Sequence, residues 1–408
     1  MSDIQAKLNS LTPEQRKLLL KELQKKKALA DGEPAPIAIS ETLRQKGMDF
    51  SLIFFSGNGS TQDRDKYDLV VECARFADRH GFSAVTTPER HFQPVGGLFP
   101  NPAVLSAALA MVTERIQLRA GSVVIPLHDP LRVAEEWSVV DNLSRGRVAI
   151  SFATGWHPAD FILSPAAYAD RRGIMQHNLG LIRRLWRGES IVRKDIEGND
   201  VEVRTLPVPI QRELPIFITS SGNPATWVKA GELGANVLCS LTNHTLDSLN
   251  KHAESYRAAR AAHGFDPDAG VVSVMVHTFV GRNDDEVKEL VRHPLRGFLN
   301  EYINQNETLN PYKDSRGNVR AVIDNDREAL ITYAFEKHFN QTSLMGSREK
   351  CARMVQQLHD AGATEIACLV DFGLTKERVL AGLEPLAELA ALYARARSPE
   401  RVAVAEPA

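Results

Sequence analysis

The chain has no long hydrophobic run. No apolar stretch approaches the ~20 residues of a membrane span, and the N-terminus lacks the apolar core of a signal peptide. Cysteine is scarce. Cys73, Cys239, Cys351 and Cys368 are far apart and none forms a C-x-x-C pair, which excludes a disulfide scaffold and predicts reduced, mostly buried thiols. An excess of one charge is also missing: 49 Lys and Arg face 51 Asp and Glu, for a formal net charge of −2. A dedicated nucleic-acid binder would need a basic face. G-x-G-x-x-G, P-loop, H-x-H and H-E-x-x-H patterns are all absent, so neither a dinucleotide-binding domain nor a metal is expected. Together these absences predict a cytoplasmic protein with no membrane or nucleic-acid partner.

What is present is a long chain of ordinary composition. Its 408 residues are 43% hydrophobic, enough for a large core and for one barrel with insertions. Residues 1–40 stand apart. In LTPEQRKLLLKELQKKK, Thr12, Pro13 and Gln15 form a helix start, and Leu11, Leu18, Leu19 and Leu23 form one apolar stripe. ADGEPAPIAIS then reads as a linker. This predicts an amphipathic helix on a tether, serving either as a docking segment or as a packing element against its own barrel or a dimer mate.

From residue 41 to about 400, short β-branched runs alternate with stretches of helical period. The runs are DFSLIFFS, SAVTTP, IQLRAGSVVI, RVAISFA, LPIFITS, ANVLCS, VVSVMVHTFVG and EIACLVDF. Eight such β–α pairs predict an α/β fold, a closed (β/α)₈ TIM barrel rather than an open doubly wound sheet. Two stretches depart from the repeat. Residues 189–212 read as a hairpin turning at Gly-Asn-Asp. Residues 290–346, with NPYKDSRGN at the centre, are too long for a plain connection and predict a helical insertion with a mobile loop over the active site.

A barrel of this type gathers its reacting groups at the carboxyl ends of its strands. After the second strand, Glu89, Arg90 and His91 place an anion holder and a proton carrier at the mouth, or a rim ion pair with a surface histidine. After the third, Val123, Val124 and Ile125 offer an apolar shelf for a flat ring, or a strand running on into the core. After the fourth, Gly155 permits close backbone approach, and Trp156 and His157 add a stacking surface and a proton carrier, or form a packed turn. The fifth carries the strongest signal. Ser220, Ser221, Gly222 and Asn223 lie between a strand and a helix opening at Pro224, with Thr226 one turn in. Small hydroxyls and free N–H groups at a helix N-terminus suit a phosphate, although an ordinary helix cap uses the same residue types.

The runs SLIFFSG, PERHF, FPNPAV, RAGSVVIPLHDPLRVAEEWSVVDNLSRGRVAISFATGWHPADF and LPIFITSSGNPATW resemble the luciferase-like monooxygenases. With MVHTFVG and SLMGSREKC–EIACLVDFG they look like the natural-product subgroup associated with nonribosomal peptide and polyketide synthases. The resemblance covers about residues 48–390. It implies reduced FMN as cofactor, delivered by a separate flavin reductase, with O₂ as co-substrate and a small-molecule or carrier-bound substrate. It implies that Ser220, Ser221, Gly222, Asn223, Thr226 and Arg172 hold the FMN phosphate. Val123 and Val124 would support the isoalloxazine, in the bacterial luciferases through a cis peptide, while Glu89, Thr154 and Gly155 line the cofactor site. Thr154 stands where those luciferases carry an arginine. Arg90 stands where they carry their catalytic histidine, and His91 matches its neighbour; both are candidates for the oxygen chemistry. The resemblance also implies a homodimer, and the N-terminal helix separately resembles the short helical segments that precede condensation domains or dock synthetase subunits. Two other activities stay open: hydride transfer with deazaflavin (F420) or FMN on the same barrel, and a non-catalytic flavin-binding component of an assembly line.

Overall fold

The computed structural model describes residues 37, 39–55, 64–93, 95–309 and 324–394. The expected helix and stripe at residues 11–23 lie outside them, as do residues 310–323 with the NPYKDSRGN segment. Residues 1–40 and 41–408 are separate compact units, and the barrel belongs to the second.

After a short helix α1 (Glu41–Lys46), strands and helices alternate: β1 (Asp49–Ile53), α2 (Asp68–Arg79), β2 (Ala84–Thr87), α3 (Pro102–Ala110), β3 (Gln117–Val124), α4 (Pro130–Ser144), β4 (Val148–Ala153) and α5 (Arg171–Trp186). A hairpin of β5 (Ile191–Lys194) and β6 (Asp200–Val203) intervenes. Then come β7 (Ile216–Ser220), α6 (Pro224–Glu232), β8 (Asn236–Ser240), α7 (Leu246–Ala262) and β9 (Val272–Gly281). The chain continues through α8 (Asp284–Leu309), α9 (Asp324–Gln341), β10 (Leu344–Ser347), α10 (Arg348–Asp360), β11 (Glu365–Leu369) and α11 (Lys376–Ala391).

Among the described residues the main sheet has nine strands in the order β10-β9-β11-β1-β2-β3-β4-β7-β8, and β8 pairs back onto β9. Because β10 pairs only with β9, the other eight strands close a parallel barrel, as the eight apolar runs predict. Three helices at the barrel mouth start on an Asx-Pro pair: Asn101 caps α3, Asp129 caps α4 and Asn223 caps α6, each accepting a backbone N–H with Pro next in sequence. The side-chain oxygen satisfies an orphan donor and proline pre-sets the first helical φ. All four cysteines are free and buried. Among the described residues no helix is long and apolar enough to cross a membrane, and no group of three His, Cys, Asp or Glu is placed to hold a metal.

Three details differ from the expectation. The hairpin turns at 195–199, where the Asp195 carboxylate accepts the N–H groups of Glu197 and Asn199, so Asp200 already belongs to β6. The non-barrel insertion opens at Asp284 rather than near 290, directly after β9. It ends in β10, for which the eight apolar runs leave no place. LMGS is too short and too glycine-containing to show a period, and it becomes a strand only because β9 overhangs the barrel and offers Thr278–Gly281 as an edge.

Inward-facing residues stack in layers. Near the amino ends of the strands Arg119 meets Glu365 at 2.6 Å, and the carboxylate also accepts the hydroxyls of Ser51 (3.1 Å), Ser83 (2.8 Å) and Ser273 (2.5 Å). The guanidinium lies 4.0 Å from the Phe217 ring. Above this, Ile53, Ala149, Phe217, Leu238, Ala367 and Leu369 form the apolar centre, with Phe55 and Met275 against them. Next comes a hydroxyl cluster in which Thr219 bonds Ser122 and Ser151. The mouth begins there.

Candidate active site

Glu89 sits just past β2 and is buried. One carboxylate oxygen accepts the Val124 N–H at 2.7 Å. The other meets Nε2 of His91 at 2.8 Å and of His128 at 2.6 Å. Burial alone would raise the Glu89 pKa, but hydrogen bonds from His128 and His91, the His128 charge and the Val124 N–H lower it below the usual carboxylate value. Burial likewise works against charge on His128, and Glu89 overrides it, so the His128 pKa is raised. Both Glu89 oxygens are thus engaged by the protein. Glu89 positions the end of β3 and two imidazoles, and because it holds His91 by Nε2, Nδ1 is the nitrogen His91 has left for a ligand.

Arg90 points into the mouth and is also buried, its guanidinium 5.4 Å from the Phe55 ring and 5.1 Å from that of Trp156. Gly96 adopts φ +83°, and a Cβ there would stand 2.5 Å from Arg90 Cγ, so the glycine makes room for the arginine stem. Facing it is Asp160, four residues past Trp156, whose carboxylate accepts the His91 backbone N–H. Burial raises the Asp160 pKa against the opposing pull of Arg90, His157 and His91. The Asp160 Oδ1 atom is buried without a hydrogen-bond partner among the described residues. His157 caps the following 3₁₀ turn by accepting the Ala159 N–H at 3.3 Å, and burial lowers its pKa. Arg90, His91, Trp156, His157 and Asp160 therefore form one cluster, built from the loops after β2 and β4.

The apolar shelf divides. Val124 packs with Leu127, Phe161 and Ala167, and Val123 faces a small cavity behind the sheet beside Pro102, His128 and Trp137. The bond between Val123 and Val124 is not cis; the cis peptide of this strand joins Gly121 and Ser122. Gly155 has φ +77°, and a Cβ there would meet Phe161 at 2.7 Å and Val124 at 2.8 Å. Packing against its own loop accounts for this glycine. Thr154 is half-buried, and its hydroxyl makes one long contact of 3.5 Å to the Gly155 carbonyl.

The loop expected to hold an anion follows β7. Ser220 is buried, and its hydroxyl has no partner among the described residues. Gly222 adopts φ +102°, and Asn223 caps α6 by accepting the Ala225 N–H at 3.0 Å. Ser221 is exposed and Thr226 half-buried. Arg172 is exposed in the first turn of α5. An orphaned buried hydroxyl beside a left-handed glycine and a helix N-terminus fits a phosphate, because the Ser220 hydroxyl is a donor that the described residues leave unused.

Residue types alone do not reveal several members of this site. Asp160 lies in the same loop as His157, and its acidic character inside WHPADF is the available signal. His128 follows the shelf residues by four. Asp371 just past β11 accepts the Phe55 N–H at 3.0 Å and ties the first and last strands together at the mouth. No local pattern marks that contact, since its partners are 316 residues apart.

The chain is 25% identical over 350 residues to the oxygenase component of a flavin-dependent trigonelline monooxygenase from Acinetobacter baylyi, covering 83% of this chain and 93% of that protein. Among solved structures, monooxygenase RslO1 from Streptomyces bottropensis superposes with a TM-score of 0.70 at 22% identity, over 85% of this chain and all of that one (100%). The oxygenating constituent of 3,6-diketocamphane monooxygenase from Pseudomonas putida, a type II Baeyer–Villiger enzyme in complex with FMN, gives 0.67 at 19% identity, over 85% and 98%. The sequence profile of the luciferase-like monooxygenases matches residues 48–365, and the chain belongs to that family.

Proposed function

We propose that the chain is an FMN-dependent monooxygenase that adds one oxygen atom from O₂ to a natural-product intermediate, free or tethered to a carrier protein, by hydroxylation or Baeyer–Villiger insertion. The observation that carries the cofactor reading is the buried, partnerless Ser220 hydroxyl beside Gly222 at the start of α6. Ser220, Ser221, Gly222, Asn223 and Thr226 hold the phosphate in this reading, with Arg172 as the cation that joins them. Thr154, Gly155 and Val124 border the ring. When bound, reduced flavin supplies the electrons that activate O₂.

The chain's own groups do the rest. Arg90 places a fixed cation in a water-poor mouth, between Phe55 and Trp156, where developing negative charge is stabilised more strongly than in water. His91, oriented through Nε2 by Glu89, presents Nδ1 to take or return a proton. The absence of a nicotinamide-binding fingerprint supports delivery of reduced flavin by a separate reductase, as does the relative named as an oxygenase component. We further assign residues 1–40 to docking on a synthetase and the barrel to a homodimer, to be checked by light scattering of the full chain.

The direct test supplies enzyme, FMN, NADH and a generic flavin reductase to candidate acyl carrier proteins bearing substrates, and reads intact mass. An O₂-dependent gain of one oxygen supports the proposal. A gain or loss of two hydrogens with no oxygen would replace it with hydride transfer.

A further inference from the structure

A second histidine site lies at the mouth, outside the cluster just described. Ser273, Met275 and His277 alternate on the inward face of β9: Ser273 bonds Glu365 within the barrel and Met275 packs on the apolar centre. His277 is therefore the mouth-level residue of that face. The insertion covers it. Phe298 of α8 meets its ring edge-on at 4.6 Å, and Phe372 lies at 5.4 Å. Gly373, with φ +107°, lets the Pro294 backbone of α8 come close to the loop after β11.

His277 is 2% exposed. Its Nδ1 shares a hydrogen bond of 2.8 Å with Nε2 of His338 on α9. Nδ1 of His338 shares one of 2.8 Å with the hydroxyl of Thr342, which is half-buried. The far end, Nε2 of His277, is buried with no partner among the described residues. A buried, unpaired imidazole nitrogen is unfavourable unless something binds it. Burial holds His277 well below its ordinary pKa and His338 at about 4, so both rings are neutral near pH 7.

Two neutral imidazoles in series have only two consistent arrangements. If Thr342 donates to His338, then His338 donates from Nε2 and His277 carries its proton on Nε2. If His338 donates to Thr342, then His277 donates from Nδ1 and Nε2 is an acceptor. The two rings always share one tautomer, and a flip at Thr342 turns the open nitrogen from donor to acceptor with no change of net charge.

Resting on the reading of the mouth as the oxygenation site, we propose that His277 Nε2 grips a neutral oxygen, carbonyl or hydroxyl, on a substrate whose body is otherwise apolar. His338 and Thr342 are positioning residues that set the tautomer with which it does so. The surroundings select this class. Phe298 and Phe372, packed edge-on against the His277 ring, make its surroundings apolar, the one unpaired nitrogen suits one polar atom, and a charged group would be desolvated there without a counter-ion.

The test uses the full chain labelled with ¹⁵N-histidine and no flavin, so its outcome is independent of the cofactor reading. Long-range ¹H–¹⁵N spectra at pH 7, assigned with His338→Gln, should show His277 and His338 neutral and in matched tautomers. Thr342→Val should shift the tautomer ratio of both rings together, and Thr342→Ser should restore it. Acetophenone should move the His277 Nε2 resonance, whereas ethylbenzene, which lacks the oxygen, should leave it in place. Opposite tautomers, a charged ring at pH 7, or the same response to both probes would overturn the proposal.

Discussion

The two ends of this barrel handle buried polarity in opposite ways. At the amino ends of the strands, the Glu365 carboxylate receives Arg119 and three serine hydroxyls. At the carboxyl ends, the Ser220 hydroxyl, Oδ1 of Asp160 and Nε2 of His277 are buried and left without partners among the described residues. Burial cost applies to both ends alike, so the difference lies in what balances it. The closed end balances it internally and holds eight strands in register. The open end leaves donors and acceptors without an internal partner among the described residues, and the proposed function gives them to a ligand. Arg193, Thr205, Trp227 and His252 also carry such atoms away from the mouth, so the contrast is between the strand ends alone.

The largest effect expected from this contrast is on stability. Arg119→Met should cost about 3–5 kcal/mol in urea unfolding at pH 7, because it strands a buried carboxylate. Burial raises the Glu365 pKa, and the Arg119 charge and hydrogen bonds override it, lowering the value to about 2. A depressed carboxylate pKa contributes stability above the unfolded value, and that contribution is lost as pH falls through about 2. In Arg119→Met the carboxyl loses its main stabiliser, so the deficit should narrow as pH falls from ~7 toward ~4. A deficit independent of pH would show that packing on Phe217, not charge, sets the closed end.

At the open end the effects should fall on function. His91→Ala should slow single-turnover oxygenation at saturating flavin by about 10²–10⁴. Arg90→Ala separates two roles for the cation: if it stabilises charge in the reaction the turnover rate falls, and if it only holds a carrier arm KM rises while the rate is kept. Normal single turnover in His91→Ala would make that residue a bystander.

Smaller again, Ser221→Asp should weaken FMN binding by roughly 5- to 1000-fold, since like charges at ~4 Å cost about 1–4 kcal/mol. Fluorescence titration measures it, and unchanged affinity would remove the loop from the phosphate site. The smallest effect tests the border between the two ends. His128→Gln should cost about 1–2 kcal/mol. The His128 pKa is raised, so its contribution is full below the unfolded histidine value and fades as pH rises through the folded one. Glu89, with a lowered pKa, contributes above the unfolded carboxylate value and loses this as pH falls through its folded one. Wild type and His128→Gln should therefore differ most between those limits and converge in alkali. A constant difference up to high pH would mean that His128 acts by shape.

Legibility differs along the chain for physical reasons. The strands are readable because each is a short β-branched run, and the mouth helices because an Asx-Pro pair announces a helix start. The loop at Ser220–Asn223 is readable because small polar residues cluster there. Its defining fact, a hydroxyl without a partner, needs the folded chain. Glu89 is visible as a polar residue after a strand, but nothing local says that both its oxygens are taken by Val124, His91 and His128. Gly155 reads the same whether it makes room for a ligand or for Phe161; only the neighbour decides.

Local sequence is enough to specify the closed parallel barrel, the order of its elements and the loops that reach the mouth. Periodicity and helix starts are local properties, and eight repeats of one local unit admit few architectures. Which polar groups are satisfied is settled only in three dimensions. Glu365 finds Arg119 across 246 residues, Asp371 finds Phe55 across 316, and His277 finds His338 across 61. Partnership over such separations depends on strand register and on how α8 and α9 fold back over the mouth, and a sum over local preferences contains neither.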